Sequence, residues 1–227
     1  RGLGDVYKRQ VVSDSILIIN GSIIVNETGT LVLINTSIYM NLSFDGEHNI
    51  EVYGNFTVLN SSITAYNTSN NYRIISYDGS RLRIEDSEIS YAGYAFGLGY
   101  AGVLIKGNNA TIRNSLVRYC YFGIYLDSSN YSVIYGNTIV NNTCTGIYMG
   151  GSYYVTVFNN TIMHTHGDAY YEGYGIYCVS CRYNNISQNT IRDNRGWGLY
   201  LRWSYYNKIL DNIFVRDGMY VETALYN

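Results

Sequence analysis

Short alternations of apolar and polar residues, rather than a helical period, run along most of this chain. The clearest case is the tetrapeptide Gly-Ile-Tyr-Leu with its close variants, which recurs at spacings of 23, 29 and 23 residues and begins at Gly123, Gly146, Gly175 and Gly198. Because side chains alternate between the two faces of a strand, the first and third residues after each glycine are predicted to point inward and the tyrosine outward. No segment of ten or more residues shows a convincing 3.6-residue apolar period, which favours strands over helices.

A second motif recurs in phase with the first. It reads Asn-Thr-Ile or Asn-Ile-Phe and begins at Asn137, Asn160, Asn189 and Asn212, again 23, 29 and 23 residues apart. Two motifs locked in phase at such a period indicate one structural unit that is repeated and stacked. We expect the four asparagines to form a ladder of amides at one turn, where asparagine tolerates a left-handed backbone.

These patterns predict an all-β fold, namely a single-stranded right-handed parallel β-helix of about eight to nine coils with three short strands per coil. Variant repeats extend the pattern upstream at intervals of 25 residues, beginning at Gly29, Gly54 and Gly79. A leucine-rich repeat has a similar period, but it requires leucine at fixed spacings, whereas isoleucine dominates here.

The alternation of Gly-Ile-x-Leu with Asn-x-Ile resembles the parallel β-helix repeats of NosD-like proteins and of the carbohydrate-binding and sugar-hydrolase (CASH) proteins, over roughly residues 21–220. This resemblance implies the fold strongly. It implies much less about activity, because that repeat occurs in lyases, hydrolases, adhesins and structural surface proteins. The likeness to NosD adds one alternative function, a periplasmic protein that handles copper.

The first ten residues, RGLGDVYKRQ, follow neither motif, and residues 5–10 look like the translated end of a sequencing adapter. We therefore expect residues 1–10 to be a non-native or disordered head. Residues 11–227 are expected to form one β-helix domain, a fragment truncated at both ends that adjoins further domains of a longer chain. The net charge of −2 and the lack of a basic stripe argue against a nucleic-acid partner. No apolar run of 18 residues occurs, so no membrane span is predicted in this fragment.

The chain is rich in Asn-x-Ser/Thr sequons, of which there are twelve. Such a number favours a secreted or cell-surface glycoprotein, with the periplasm as the alternative location. The competing explanation is that the turns of the fold require Asn and Thr and so create sequons without any glycosylation.

Two rows of tyrosines are candidates for binding a glycan or cell-surface polymer. The first is the outward row of the tetrapeptides, Tyr125, Tyr148, Tyr177 and Tyr200, and the second lies eight residues after each glycine, at Tyr131, Tyr154, Tyr183 and Tyr206. Aromatic rows on a rigid sheet can stack on sugar rings. The simpler interpretation is that stacked tyrosines only stabilise the strands.

A six-residue insertion between Asn160 and Gly175 makes the segment 163–174 a candidate active-site loop. It contains the candidate catalytic residues His164, His166, Asp168 and Glu172. The first three also have the ligand types of a metal site, although a solvated polar loop is the simpler interpretation. No cofactor is predicted, and copper and calcium stay open. The clustered acids of pectin-type hydrolases are missing, which weighs against catalysis by this fragment.

The four cysteines fall into two pairs. Cys120 and Cys144 lie one coil apart near the same corner, so a disulfide between adjacent coils is a possible cross-link. Cys178 and Cys181 form a C-x-x-C, but Cys178 occupies an inward strand position, which favours core packing. The sequence thus favours an extracellular or cell-surface scaffold that binds polysaccharide along a tyrosine-lined face. A polysaccharide hydrolase or lyase that uses the loop 163–174 is the first alternative.

Overall fold

A computed structural model describes residues 4–94, 101–168 and 172–223, and within these residues all regular structure is β-strand. None of the described residues belongs to a helix that could cross a membrane. In chain order the strands are β1 (Asp5–Val6), β2 (Arg9–Ser13), β3 (Ile16–Ile19), β4 (Ile23–Val25), β5 (Thr30–Ile34), β6 (Ser37–Met40), β7 (Ile50–Val52), β8 (Asn55–Leu59), β9 (Ser62–Ala65), β10 (Ile74–Ser76), β11 (Arg81–Glu85), β12 (Glu88–Ser90), β13 (Val103–Ile105), β14 (Thr111–Arg113), β15 (Leu116–Arg118), β16 (Phe122–Asp127), β17 (Val133–Tyr135), β18 (Thr138–Val140), β19 (Thr145–Gly150), β20 (Thr156–Phe158), β21 (Thr161–Met163), β22 (Tyr174–Val179), β23 (Asn185–Ser187), β24 (Thr190–Arg192), β25 (Leu199–Arg202), β26 (Lys208–Leu210), β27 (Ile213–Val215) and β28 (Met219–Glu222).

The strands form three sheets, and every strand pairs with the strand three places along the chain. The first sheet contains β1, β4 and every third strand up to β28, the second runs from β2 to β26, and the third from β3 to β27. Neighbouring strands are parallel, as in the pairs of β16 with β19 and of β19 with β22. The chain is therefore a right-handed β-solenoid of about nine coils, which confirms the predicted fold.

The coils lie in register, so equivalent side chains stack along the axis. On the first sheet Ile124 pairs with Ile147, which pairs in turn with Ile176. These residues are fully buried in one continuous core, and similar columns come from Ile134 of the second sheet and Ile139 of the third. Burying an isoleucine side chain contributes about 1.5–3 kcal/mol, so the stacked columns are the main stabilising element of the fold.

The predicted asparagine ladder lies at the turn between the second and third sheets. The backbone N–H of Asn137 donates to Oδ1 of Asn160 at 2.9 Å, and the side-chain amide of Asn137 donates to the same oxygen at 3.0 Å. Asn160 bonds Asn189 in the same way, and Asn189 bonds Asn212. In the earlier coils serine takes this position, with the hydroxyl oxygen accepting the N–H of the preceding coil at Ser61, Ser87 and the equivalent residues.

The left-handed residue of this turn is not the ladder asparagine, as the sequence suggested, but the residue before it. Gly136, Asn159 and Gln188 have φ values of 66°, 54° and 55°. The chain bends at that residue, and the asparagine that follows it points inward, where its amide bonds to the neighbouring coils.

The structure places the described residues of the predicted head and all four cysteines. Residues 5–6 pair with Ile24 and Val25, and residues 9–13 pair with β5, so the described part of the expected head is wound into the first coil. All four cysteines are free and buried. Cys120 belongs to the inner core and Cys144 to a second apolar cluster outside the first sheet. The two thiols therefore lie on opposite sides of the coil wall and are not joined in this structure, and the Cys120–Cys144 disulfide stays a prediction.

Candidate functional site

The first tyrosine row points away from the inner core, as predicted, but it is not a surface. Tyr125, Tyr148 and Tyr177 are between 2% and 9% exposed, and Tyr200 is half-buried. They belong to the second apolar cluster, which also contains Phe122, Leu104 and Tyr174 on the outer side of the first sheet. In this arrangement the three buried rings are not accessible to a sugar, which corrects the expected exposure.

The rings of this row pack against one another. Tyr125 and Tyr148 meet edge to face with centroids 4.5 Å apart, and Tyr148 and Tyr177 do so at 5.2 Å. Tyr177 and Tyr200 stack in parallel at 4.8 Å. Such pairs contribute roughly 0.5–1.5 kcal/mol each beyond the burial of apolar area, so this row acts as a second apolar core on the outer side of the first sheet.

The histidines and acids of the insertion lie in different environments. His164 lies at a corner with φ of 56°, His166 is exposed, and the Asp168 carboxylate accepts hydrogen bonds from the Tyr121 hydroxyl and the Cys144 thiol. Among the described residues no group of three or more His, Cys, Asp or Glu side chains could hold a metal ion. The metal site suggested for His164, His166 and Asp168 is therefore not formed by these residues.

Asp168 instead anchors the start of the insertion to the second apolar cluster. Burial raises the pKa of the Tyr121 hydroxyl and of the Cys144 thiol, and the adjacent carboxylate raises both further. Residues 169–171 of the 163–174 loop lie outside the described residues. Glu172 lines a different depression, shared with Trp197 and Asp217, where burial raises the pKa of the Asp217 carboxyl.

The second tyrosine row has the opposite character and is exposed. Tyr131, Tyr154, Tyr183 and Tyr206, which we call the tyrosine ladder, are between 48% and 58% exposed. Their rings are parallel to within 10°, with successive centroids 5.2, 5.4 and 5.2 Å apart. The ladder lies at the corner where each coil enters the second sheet, and it places one phenol on the surface per coil.

The backbone of the tyrosine ladder is strained for so bulky a residue. All four tyrosines have φ of 57–58°, a left-handed conformation that costs a residue with a Cβ roughly 1–2 kcal/mol. Stacking returns about 0.5–1.5 kcal/mol per pair, so the net effect on stability is small. One coil earlier the same position holds Asn109, also left-handed at 58°, a residue that adopts this conformation more readily. Stability alone therefore does not account for four tyrosines here.

The parallel stacking decides which part of each ring a ligand can reach. The faces of the inner rings are covered by the neighbouring rings, so a sugar cannot stack on them. The ladder instead presents ring edges and phenol hydroxyls. Aromatic edges carry partial positive charge, and the hydroxyls both donate and accept hydrogen bonds. This surface suits a ligand that is rich in oxygen acceptors, which differs from the ring-on-ring contact expected from the sequence.

The outer face of the second sheet continues from the ladder and carries further functional side chains. Tyr135 stacks on Phe158 at 5.3 Å. Toward the N-terminus this face carries Arg81, Arg83 and Arg113, which we call the arginine patch, and the last two of them pair with Glu85. Arg83 Nε lies 2.6 Å from Glu85 Oε1, and Arg113 Nη2 lies 2.8 Å from Glu85 Oε2. The Arg83 guanidinium holds the pKa of the Glu85 carboxyl below its usual range, with Arg113 assisting.

Sequence reasoning did not select the arginine patch, although a signal for it existed. Residues 81–85 read Arg-Leu-Arg-Ile-Glu, and Leu82 and Ile84 lie in the inner core. Strict alternation then puts the three charged residues together on the outer face. Arg113 could not be added without the register, because it reaches Glu85 only through the pairing of β11 with β14.

Comparisons with known proteins agree with this architecture. A family model described as a right-handed β-helix region matches residues 48–214. The periplasmic alginate epimerase AlgG superposes with a TM-score of 0.63 at 16% identity, over 87% of this chain and 57% of that one. The surface protein and adhesin PfbA of Streptococcus pneumoniae gives 0.53 at 9% identity, over 94% and 91%. The pectate lyase Pel9A gives 0.52 at 11%, over 99% and 71%.

These structural likenesses show the fold alone at such low identities, and the chain spans less than two thirds of the length of the epimerase. A search of curated proteins gives no significant match. The family model covers well over half of the residues, and the coils, register and ladder all agree with it. The chain therefore belongs to the right-handed β-helix family.

Proposed function

We propose that this protein is a carbohydrate-binding β-helix scaffold, located outside the cytoplasm, that holds a linear polysaccharide along the tyrosine ladder. The observation that carries the proposal is the ladder itself: four half-exposed tyrosines, stacked 5.2–5.4 Å apart, in a backbone conformation unfavourable for that residue. Left-handed residues occur at corners throughout this fold, so the distinctive feature is the choice of four exposed, stacked tyrosines at a position that Asn109 occupies one coil earlier.

The spacing of the ladder suits a repeating ligand. The coils advance about 4.8 Å each, which is close to the length that one sugar adds to an extended polysaccharide. A chain lying along the axis therefore brings successive hydroxyl groups to successive phenols. Each such hydrogen bond contributes only about 0.5–1.5 kcal/mol, so several coils acting together are needed for useful affinity.

The structural neighbours support the class of ligand and the location. One is named as an epimerase of alginate and another as a lyase of pectate, so two proteins with this fold act on polysaccharides. The epimerase is named as periplasmic and the adhesin as a surface protein.

The test replaces Tyr154 and Tyr183 by asparagine, the residue that the preceding coil uses at Asn109. Asparagine tolerates the left-handed backbone, so the fold is kept while two ring edges and hydroxyls are lost. Binding is measured on an array of neutral and acidic plant, algal and bacterial polysaccharides. We expect the wild-type protein to bind at least one polymer and the double variant to bind it at least about tenfold more weakly, a loss of about 1.4 kcal/mol.

A matched control is Tyr119→Asn. Tyr119 is also exposed and left-handed, and it stacks on Tyr91, but it lies at the corner that leads into the first sheet. Its replacement is expected to leave binding unchanged. Failure of the wild-type protein to bind any polymer, or an equal loss in the control, would overturn the proposal.

A further inference from the structure

We infer that the polysaccharide is acidic and that the arginine patch binds its carboxylate or sulfate groups. This inference rests on the proposed function and names the chemical class of the ligand. The patch lies on the same face of the molecule as the tyrosine ladder, so one extended chain can touch both.

The charge of the patch is unbalanced. Glu85 neutralises one of the three arginines and is itself only 6% exposed in its side chain, whereas Arg83 and Arg113 are 51% and 45% exposed. Arg81 is exposed and makes no ion pair within the described residues. The patch therefore presents two net positive charges to solvent, and the buried carboxylate orients two of the guanidinium groups.

This charge borders a shallow depression rather than a flat surface. Apart from Leu82, its wall consists of charged and neutral hydrogen-bonding side chains on three successive coils, namely Asn55, Thr57, Arg81, Arg83, Asn109 and Thr111. A guanidinium group matches the two oxygens of a carboxylate or sulfate with paired N–H donors. The amides and hydroxyls of the same wall suit the neutral hydroxyl groups of a sugar.

The strand register connects the depression to the tyrosine ladder. Arg83 pairs with Thr111, which pairs with Val133. The residues two places earlier are Arg81, Asn109 and Tyr131, so Arg81 stands two coils, roughly 10 Å, from the first ring of the ladder. The ring edges of the ladder also attract negative charge. The whole face thus favours an anionic polymer over a neutral one.

The experiment compares two matched pairs of polymers. Polygalacturonate is set against its methyl-esterified form, which has the same backbone without the charge, and dextran sulfate is set against dextran. The full chain is produced in a host without N-glycosylation, because Asn55 and Asn109 lie in sequons on the wall of the depression. We expect the charged member of at least one pair to bind at least about tenfold more tightly and to weaken as salt is raised. The pair that shows the effect identifies the anion.

The double variant Arg81→Gln/Arg83→Gln is expected to abolish that preference while keeping binding through the ladder. The double variant Arg118→Gln/Arg192→Gln is the control, because it removes the same two charges from the third sheet, where Arg118 pairs with Glu88 at 2.9 Å and Arg192 with Asp193 at 3.0 Å. Equal binding of the charged and neutral polymers, or an unchanged preference in the Arg81→Gln/Arg83→Gln variant, overturns the inference alone. Binding to no polymer overturns both the inference and the proposed function.

Discussion

Two rows of tyrosines come from the same repeat and have opposite environments. Tyr148 and Tyr154 are six residues apart in one coil, yet Tyr148 is buried and Tyr154 is half exposed. Both point away from the inner core. Side-chain alternation therefore tells which side of the coil wall a residue occupies, but not whether that side faces solvent.

The difference arises from the segments around each row. The row of Tyr148 packs against Phe122 and Tyr174, the first residues of β16 and β22, and against Leu104 of β13. The corner of Tyr154 has only five residues between β19 and β20, too few to fold back over its own strand. The buried row is thus a packing element and the exposed row is a surface available to a ligand.

The largest effect on stability is expected in the buried isoleucine column of the third sheet. Ile162 is fully buried between Ile139 and Ile191. Replacing it by aspartate places a charge in an apolar column, so we expect a loss of more than about 4 kcal/mol of unfolding free energy. Urea unfolding followed by circular dichroism measures it. Ile162→Val is the control, with an expected loss of about 1 kcal/mol; equal midpoints for the two variants would contradict the inward assignment.

Substitutions in the two tyrosine rows are expected to differ in their effect on stability. Tyr148→Ala removes a buried ring from the second apolar cluster, and we expect a loss of about 3 kcal/mol. Tyr154→Asn removes an exposed ring and a backbone strain together, and we expect a change within about 1 kcal/mol. The same unfolding measurement serves both variants. Similar losses would show that the two rows do not differ as described.

Thiol labelling distinguishes a local opening of the second apolar cluster from general unfolding. Burial raises the pKa of Cys120 to about 12 and that of Cys144 as well, so both thiols of the folded protein should react slowly at neutral pH. Tyr148→Ala opens the cluster that contains Cys144 but not the core that contains Cys120. Cys144 should therefore be labelled faster than Cys120 in that variant. Equal acceleration at both cysteines would point to general unfolding instead.

The smallest expected effect concerns the arginine patch beside the exposed row. Arg83 lowers the pKa of Glu85 in the folded chain, so the stabilising contribution is complete above the ordinary glutamate pKa of about 4.3 and is lost as the pH falls through the lowered value. We expect wild type to melt a few degrees above Glu85→Gln at pH 7, and this gap to close on acidification. A gap that is constant with pH would contradict the assignment.

The fold was predictable because several independent features of the repeat indicate the same structure. The spacing of the glycine motifs, the inward isoleucines and the asparagine ladder all required the same parallel stack, and each was found. The position of the left-handed residue was missed by one, since Asn159 and Asn160 are both asparagines and composition does not tell them apart. The burial of Tyr148 was missed because it depends on what lies above the sheet.

The candidate site was less predictable for a related reason. The two histidines and two acids of the insertion predicted an active-site loop. Its Asp168, however, accepts hydrogen bonds from Cys144 one coil earlier and from Tyr121 two coils earlier. The arginine patch needed the register of β11 on β14 to bring Arg113 to Glu85. Long-range pairing, rather than local pattern, decides both outcomes.

The asparagine ladder gives the winding of this chain a direction. The backbone N–H of Asn137 is satisfied by Asn160 of the following coil, and the Asn160 amide donates back to the carbonyl of Ile134 at 2.9 Å. Each coil is therefore completed by residues that leave the ribosome after it. During synthesis the newest coil stays incomplete at this turn until the next coil is wound onto it.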